Sequence, residues 1–248
     1  MSSPSTILIT GCSSGFGLDI ARHFLDKGWR VIATMRTPKN DLLPGSDALR
    51  ILPLDVTDPE SIRRCFEDAG PIDALVNNAG IGLIGPLEGE KFSSVRQIFE
   101  TNTFATIAMT QAVLPQFRAR RSGVIVNVTS SVTLKSLPLL SVYTASKAAV
   151  NAFTESLALE LALFNIRVRL VLPGRAPDTR FGANARHLIA DTLPEAYEEF
   201  RNTVFSSLQD TSTPVTYSQD VADAVWAAVT DPDAPMRIPA GADAVVLS

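Results

Sequence analysis

The chain predicts an α/β fold, one doubly wound parallel sheet with helices on both faces, and three observations predict it. Short apolar runs alternate with longer amphipathic ones over most of the 248 residues, the pattern left by βαβ crossovers that cover a parallel sheet. A glycine-rich stretch, Thr10 to Gly17, separates the first apolar run from the first amphipathic one. The residues with chemical character fall where the strands' carboxyl ends should lie, and sheets of this kind bind ligands there. The length suits one domain over residues 1–248.

The elements follow in order. Ile7-Leu8-Ile9 reads as the first strand, and a helical pattern runs from Phe16 to Lys27 until Gly28 stops it. Trp29 to Ala33 begins a second strand that should end near Met35, and Leu49 to Leu54 is the third. Asp58-Pro59-Glu60 combines an N-cap, a proline at the first helical position and an acidic first turn. Asp73 to Val76 is the fourth strand, Thr101 to Arg121 a long helix and Gly123 to Val128 the fifth strand. Val142 to Phe164 forms a second long helix before a sixth strand, Ile166 to Leu172. The segment near 174–214 is richer in charge and turn residues and predicts a partly helical lid.

Composition excludes several functions. A net charge of −4 and a pI near 5.3 offer no global attraction to nucleic acid or anionic lipid. The basic cluster Arg118, Arg120 and Arg121 sits at an expected helix end, where cations favour the helix dipole. Cys12 and Cys65 are far apart with no CxxC spacing, and His23 and His187 lack a second ligand at helical spacing, so no metal site is expected. His23 reads as helix surface or edge. The first residues carry no signal-peptide pattern and no run reaches membrane-spanning length, so the expected location is cytoplasmic.

The loop Gly11-Cys12-Ser13-Ser14-Gly15-Phe16-Gly17 lets backbone approach a pyrophosphate, which then rests on a helix N-terminus. A nucleoside-triphosphate P-loop is excluded because Leu18-Asp19 stands where Lys and Ser/Thr would be required. Gly11 to Gly15 also matches the GxSxG nucleophile elbow of hydrolases, but it follows the first strand rather than interrupting a sheet under way. Beyond the second strand no acid is present to hold a ribose 2′-hydroxyl, and Arg36 occupies the site instead. A cation there pairs with a 2′-phosphate, which predicts NADP(H) as the preferred cofactor and NAD(H) as the alternative.

Tyr143 and Lys147 are four residues apart at the start of a helix and share one face. A phenol titrates near pH 10 and is a poor base at neutral pH, and a nearby ammonium with a charged nicotinamide lowers that value. The same lysine can hold ribose hydroxyls.

With these motifs together, the chain resembles the short-chain dehydrogenase/reductase family over nearly its whole length. The resemblance rests on the TGxxxGxG loop at Thr10 to Gly17, Leu54-Asp55-Val56, Asn77-Asn78-Ala79-Gly80, Asn102, Ser130, Tyr143 with Lys147, and Pro173-Gly174. It implies a single Rossmann-type fold and hydride transfer between an alcohol and a ketone or aldehyde. It implies that Asn77 to Gly80 steadies the sheet and borders the adenine ribose, while Asp55 and Val56 contact adenine. Ser130, taken over Ser131 for its spacing to Tyr143, would polarise the carbonyl. Tyr143 would transfer the proton, Lys147 would lower its pKa and hold the ribose, and Asn102 would anchor a water in a proton relay.

One departure stands out. The family usually places a threonine against the nicotinamide carboxamide after Pro173-Gly174, and Arg175-Ala176-Pro177-Asp178 puts Thr179 one position late.

The surrounding loops carry Ile81, Leu83, Ile84, Leu134, Leu137, Leu139, Leu140 and Phe181, which favours a hydrophobic alcohol or carbonyl substrate. Family branches acting on steroids, retinoids or lipid ketones have similar wording at Gly11 to Gly17 and Arg237 to Gly241. The two long helices resemble those the family uses to pair subunits, so a homodimer or homotetramer is expected. The alternatives are a non-redox lyase or epimerase and a cofactor-sensing protein on the same fold.

Overall fold

Strand side chains alternate between the two faces of a sheet, so a strand covered on both sides is apolar at nearly every position. The computed structural model describes residues 4–179, 194–210 and 212–248. Among them seven parallel strands form one sheet: β1 (Thr6–Ile9), β2 (Arg30–Met35), β3 (Leu49–Pro53), β4 (Ala74–Asn77), β5 (Gly123–Val128), β6 (Ile166–Pro173) and β7 (Arg237–Ala240). Their order is β3-β2-β1-β4-β5-β6-β7. The winding reverses between β1 and β4, where Ile7 to Ile9 pair with Ala74 to Val76.

Two cores follow from the alternation. Ile7 and Ile9 of β1 point into one, packed by α1 (Gly15–Asp26) and α7 (Ser218–Thr230) through Ile20, Phe24, Val221 and Val225. Leu8 points into the other, closed by α2 (Pro59–Ala69), α4 (Ala105–Arg120) and α5 (Ser141–Leu161) through Ile62, Val113, Phe117 and Leu157. The helices therefore lie on both faces, as expected. Cys12 and Cys65 are free thiols in opposite cores.

The predicted caps form. Asp58 accepts the Glu60 N–H at 2.9 Å with Pro59 at the start of α2, and Arg118 and Arg120 occupy the last turn of α4. The long helix read from Thr101 begins earlier: α3 (Phe92–Phe99) runs into a π-helical turn over Glu100–Phe104 and then into α4. The sequence reading also stopped short of β7, α7 and α8 (Ala242–Val245), whereas α6 (Glu198–Gln209) lies within the segment near 174–214 that the sequence predicts to be partly helical. β7 is four residues long, contains Pro239 and takes its place through β6 alone, so little local signal announces it. His23 is a correction. Its ring packs against Trp226 with centroids 5.7 Å apart and its Nε2 is buried, because α7 covers that side of α1. Phe181, His187 and the middle of the expected lid lie outside the described residues.

Candidate active site

A cleft of about 880 Å³ opens at the carboxyl ends of β1, β2, β4 and β5. Its walls bring together residues from distant parts of the chain: Gly11 and Ser13 to Phe16, Arg36, Asp55 and Val56, Asn78 to Gly80, Tyr143, Lys147 and Thr179. Most of the predicted cofactor-binding residues thus meet in one place.

The glycine loop is built by close approach. Thr10 Oγ1 accepts the N–H groups of Asn78 and Ala79, each at 2.9 Å, which ties the turn after β4 to the end of β1. Gly11 sits at φ +76°, and a Cβ there would lie 2.9 Å from Ala79 Cα. A Cβ on Gly17 would meet Gly11 O at 2.4 Å and Asn78 Nδ2 at 2.5 Å. Gly17 therefore serves the packing of α1 beneath the loop and does not line the cleft. Ser14 is the N-cap residue of α1, yet its side chain makes no capping bond and no acid stands in the first turn. The helix start presents backbone donors and a positive dipole end toward the cleft, a donor set that fits a pyrophosphate. Asn77, facing the second core, donates to Asn127 Oδ1 at 2.9 Å and Thr110 Oγ1 at 3.2 Å, a steadying role for the sheet.

Cations gather at one rim. Arg36 directly follows β2, and Lys39, which the sequence reading passed over, lines the same wall three residues on. Asp55 accepts from Thr57 N at 2.9 Å and Thr57 Oγ1 at 2.7 Å. These bonds, with Arg36 nearby, hold its carboxyl below the ordinary range. Its carboxylate is thereby occupied by its own turn.

At the other end, Tyr143 and Lys147 lie on one face of α5, both buried. Lys147 Nζ donates to Val128 O, the last carbonyl of β5, at 3.1 Å. A Cβ on Gly80 would sit 3.4 Å from that nitrogen, so glycine leaves the ammonium its opening to the cleft. Burial brings the Lys147 pKa down to about 8. Burial also pushes Tyr143 up to about 12, only partly offset by a hydrogen bond with the Ser130 side chain. Desolvation of the phenolate is the larger of these two effects. Ser130 is buried at the end of β5, where its Oγ also accepts Val132 N–H at 3.3 Å.

Asn102 stands in the middle of the π-helical turn. Its Oδ1 accepts Ile81 N–H at 2.9 Å, and its Nδ2 donates to Ile81 O at 3.0 Å and Ser146 Oγ at 3.1 Å. Ser146 Oγ in turn donates to Tyr143 O at 2.7 Å. Both amide hydrogens are spent on protein, and Asn102 itself lies behind the cleft wall.

Pro173 and Gly174 end β6 without lining the cleft. Thr179 does line it. Its N–H and Oγ1 both donate to Ala176 O, at 3.3 and 2.9 Å, closing a turn around Pro177 that absorbs the extra residue. Thr179 thereby reaches the glycine loop, 3.6 Å from where a Gly15 Cβ would stand. Further wall residues, Met35, Gln97, Glu100, Thr101 and Thr129, carry no motif, and only the tertiary structure brings them here.

Comparison with known proteins agrees with this geometry. Residues 5–188 match the short chain dehydrogenase family. Retinol dehydrogenase 8 of Homo sapiens is 42% identical over 182 residues, 69% of this chain and 58% of that protein. The chain thus spans less than two thirds of that relative's length. A short-chain dehydrogenase from Streptomyces avermitilis superposes with a TM-score of 0.84 at 32% identity, covering 100% of this chain and 92% of that one. The closed form of serine dehydrogenase complexed with NADP+ gives 0.81 at 29% identity, covering 95% and 94%. Other solved relatives hold NADP or NADH. The seven-stranded sheet, the glycine loop and the Tyr143–Lys147 pair belong together for a reason of descent as well as chemistry: the chain is a member of the short-chain dehydrogenase/reductase family.

Proposed function

We propose that the chain is an NADP(H)-dependent oxidoreductase that interconverts an alcohol and a ketone or aldehyde, with Tyr143 transferring the proton. The observation that carries this reading is the meeting of Tyr143, Lys147 and the glycine loop in one cleft. A bound nicotinamide would supply or accept the hydride. The uncapped start of α1 would hold its pyrophosphate, Lys147 its ribose hydroxyls and Arg36 with Lys39 a 2′-phosphate. Thr179, beside Gly15, is read as a contact at the nicotinamide end, and Asp55 and Val56 as the adenine border.

Tyr143, held neutral by burial, is a proton donor at neutral pH, which suits protonation of a carbonyl oxygen on reduction. Ser130, hydrogen-bonded to Tyr143, would share that oxygen. Asn102 is read as a positioning residue that reaches Tyr143 through Ser146, with one acceptor lone pair on Oδ1 beyond its bond from Ile81.

The substrate is read as hydrophobic. Tyr143 packs in a cluster with Leu83, Ile98 and Val132, flanked by Ile81, Phe99, Leu140 and Val142, and the name of the human relative points to an apolar alcohol. Pairing of subunits through α4 and α5 is supported by Phe104, Leu159 and Leu163, large apolar side chains left exposed at those helices. Among the described residues no helix is long and apolar enough to cross a membrane.

The test is NADPH oxidation with a panel of aliphatic, retinoid and steroid carbonyls, in the native protein and Tyr143→Phe. Turnover that disappears in Tyr143→Phe supports the reading. Unchanged turnover in that variant removes Tyr143 from the chemistry.

A further inference from the structure

The segment that carries Thr179 to the glycine loop is held from below by the far C-terminal end of the chain. Asp243, in α8, reaches the first residues after β6. Its Oδ2 accepts the Arg175 N–H at 2.6 Å, and its Oδ1 accepts from Thr216 Oγ1 at 2.6 Å. Thr216 in turn is bound to the same two residues: its Oγ1 accepts the Gly174 N–H at 2.9 Å and its N–H donates to Arg175 O at 2.8 Å. The hydroxyl has one proton, shared between the carboxylate and Ala240 O at 2.9 Å, and the charged acceptor is the stronger. Every backbone donor of Gly174 and Arg175 is thus taken up by this cluster or by β7.

The glycines are shaped to it. A Cβ on Gly174 would lie 2.2 Å from each Asp243 carboxylate oxygen, although Gly174 has no left-handed backbone to require glycine. A Cβ on Gly241 would lie 2.0 Å from Thr216 Oγ1. Gly174 is therefore glycine because a carboxylate occupies the space of its side chain. From Arg175 the chain has only the Ala176–Thr179 turn before it meets Gly15.

We infer that Asp243 and Thr216 form a brace that fixes residues 173–179, making Asp243 a positioning residue for the nicotinamide end of the dinucleotide site. This inference rests on the dinucleotide reading above. Asp243 does not line the cleft and acts only through Arg175, Gly174 and the turn that presents Thr179.

The test compares the full chain with Asp243→Ala, Gly174→Ala and the double variant. Hydrogen–deuterium exchange without ligand and NADPH affinity by fluorescence titration are the two readouts. Asp243→Ala should speed exchange in the peptide 173–179 at least about tenfold while the β5 peptide keeps its protection, and should weaken NADPH binding by about tenfold. Gly174→Ala alone should be as damaging, but in the Asp243→Ala background it should add little, since the clash is gone. Unchanged exchange at 173–179 in Asp243→Ala overturns the brace. Faster exchange with unchanged NADPH affinity overturns the positioning role and leaves the dinucleotide reading intact. A native protein that binds neither NADPH nor NADH overturns the dinucleotide reading and the positioning role together, and exchange alone then decides the brace.

Discussion

Asn102 satisfies both backbone groups of one residue, Ile81, accepting its N–H at 2.9 Å and donating to its carbonyl at 3.0 Å. This reciprocal pair joins the π-helical turn to the segment after β4, and the bond to Ser146 continues it to the carbonyl of Tyr143. Asn102→Asp tests the pair, since the carboxylate keeps the acceptor but sets a negative charge against the Ile81 carbonyl. It should destabilise the fold by about 1–3 kcal/mol, the loss expected when a buried polar group is left unpaired. Thermal unfolding measures the loss, and a fall in turnover larger than in substrate affinity would place the damage at Tyr143.

Lys147 carries a buried charge whose effect on stability has a definite sign. Its folded-state pKa of about 8 lies below the ordinary 10.5, so between those values the folded protein binds fewer protons than the unfolded chain. Stability should therefore rise with pH from 8 toward 10, and the burial penalty is fully present below 8. The depression corresponds to about 3 kcal/mol. Lys147→Met should abolish turnover yet raise the melting temperature at pH 7, and its melting temperature should lose the rise above pH 8.

Tyr143 has the opposite dependence in a higher window. Its folded value of about 12 exceeds the ordinary 10.0, so its contribution to stability is complete below pH 10 and lost as pH rises toward 12. Tyr143→Phe should unfold with a shallower pH slope above 10 than the native protein does, in denaturant titrations at fixed pH.

Arg36 and Lys39 share one rim of the cleft. Arg36→Ala should weaken NADPH binding by about tenfold or more, the worth of one charge-assisted contact, while NADH binding stays nearly unchanged. Lys39→Ala should act in the same direction with a smaller effect. Titration with both cofactors separates 2′-phosphate recognition from general loss of the site.

Two glycines provide a matched contrast. Gly17→Ala would drive a Cβ into Gly11 O and Asn78 Nδ2, and should cost about 1–3 kcal/mol together with dinucleotide binding. Gly28→Ala meets nothing within 4 Å and is strained only by its φ of +80°. It should cost about 1–2 kcal/mol and leave binding intact.

Much of this arrangement is local enough to read in one dimension. The strands β1, β4 and β5 are apolar at consecutive positions because both their faces are covered, and Asp58-Pro59 starts α2 with chemistry that needs no partner. The glycine loop, Asn78 and the Tyr143–Lys147 pair are legible because each depends on spacing along one turn or one helix. Arg36 is legible for the same reason, as the residue that follows β2.

What the sequence by itself determined was therefore the alternating α/β order, the loop before α1 and the placing of Tyr143 and Lys147 on one helix face. The tertiary structure alone decided which long-range groups complete them. β7 takes its place through pairing with β6, and His23 is half-buried because α7, some 200 residues away, lies across α1. Burial, a property of the whole packed chain, raises the pKa of Tyr143 and lowers that of Lys147. Gly174 is read from the sequence as a cofactor contact and from the structure as the space an Asp243 carboxylate fills, since only folding brings that carboxylate to within 2.6 Å of the Arg175 nitrogen, 68 positions away.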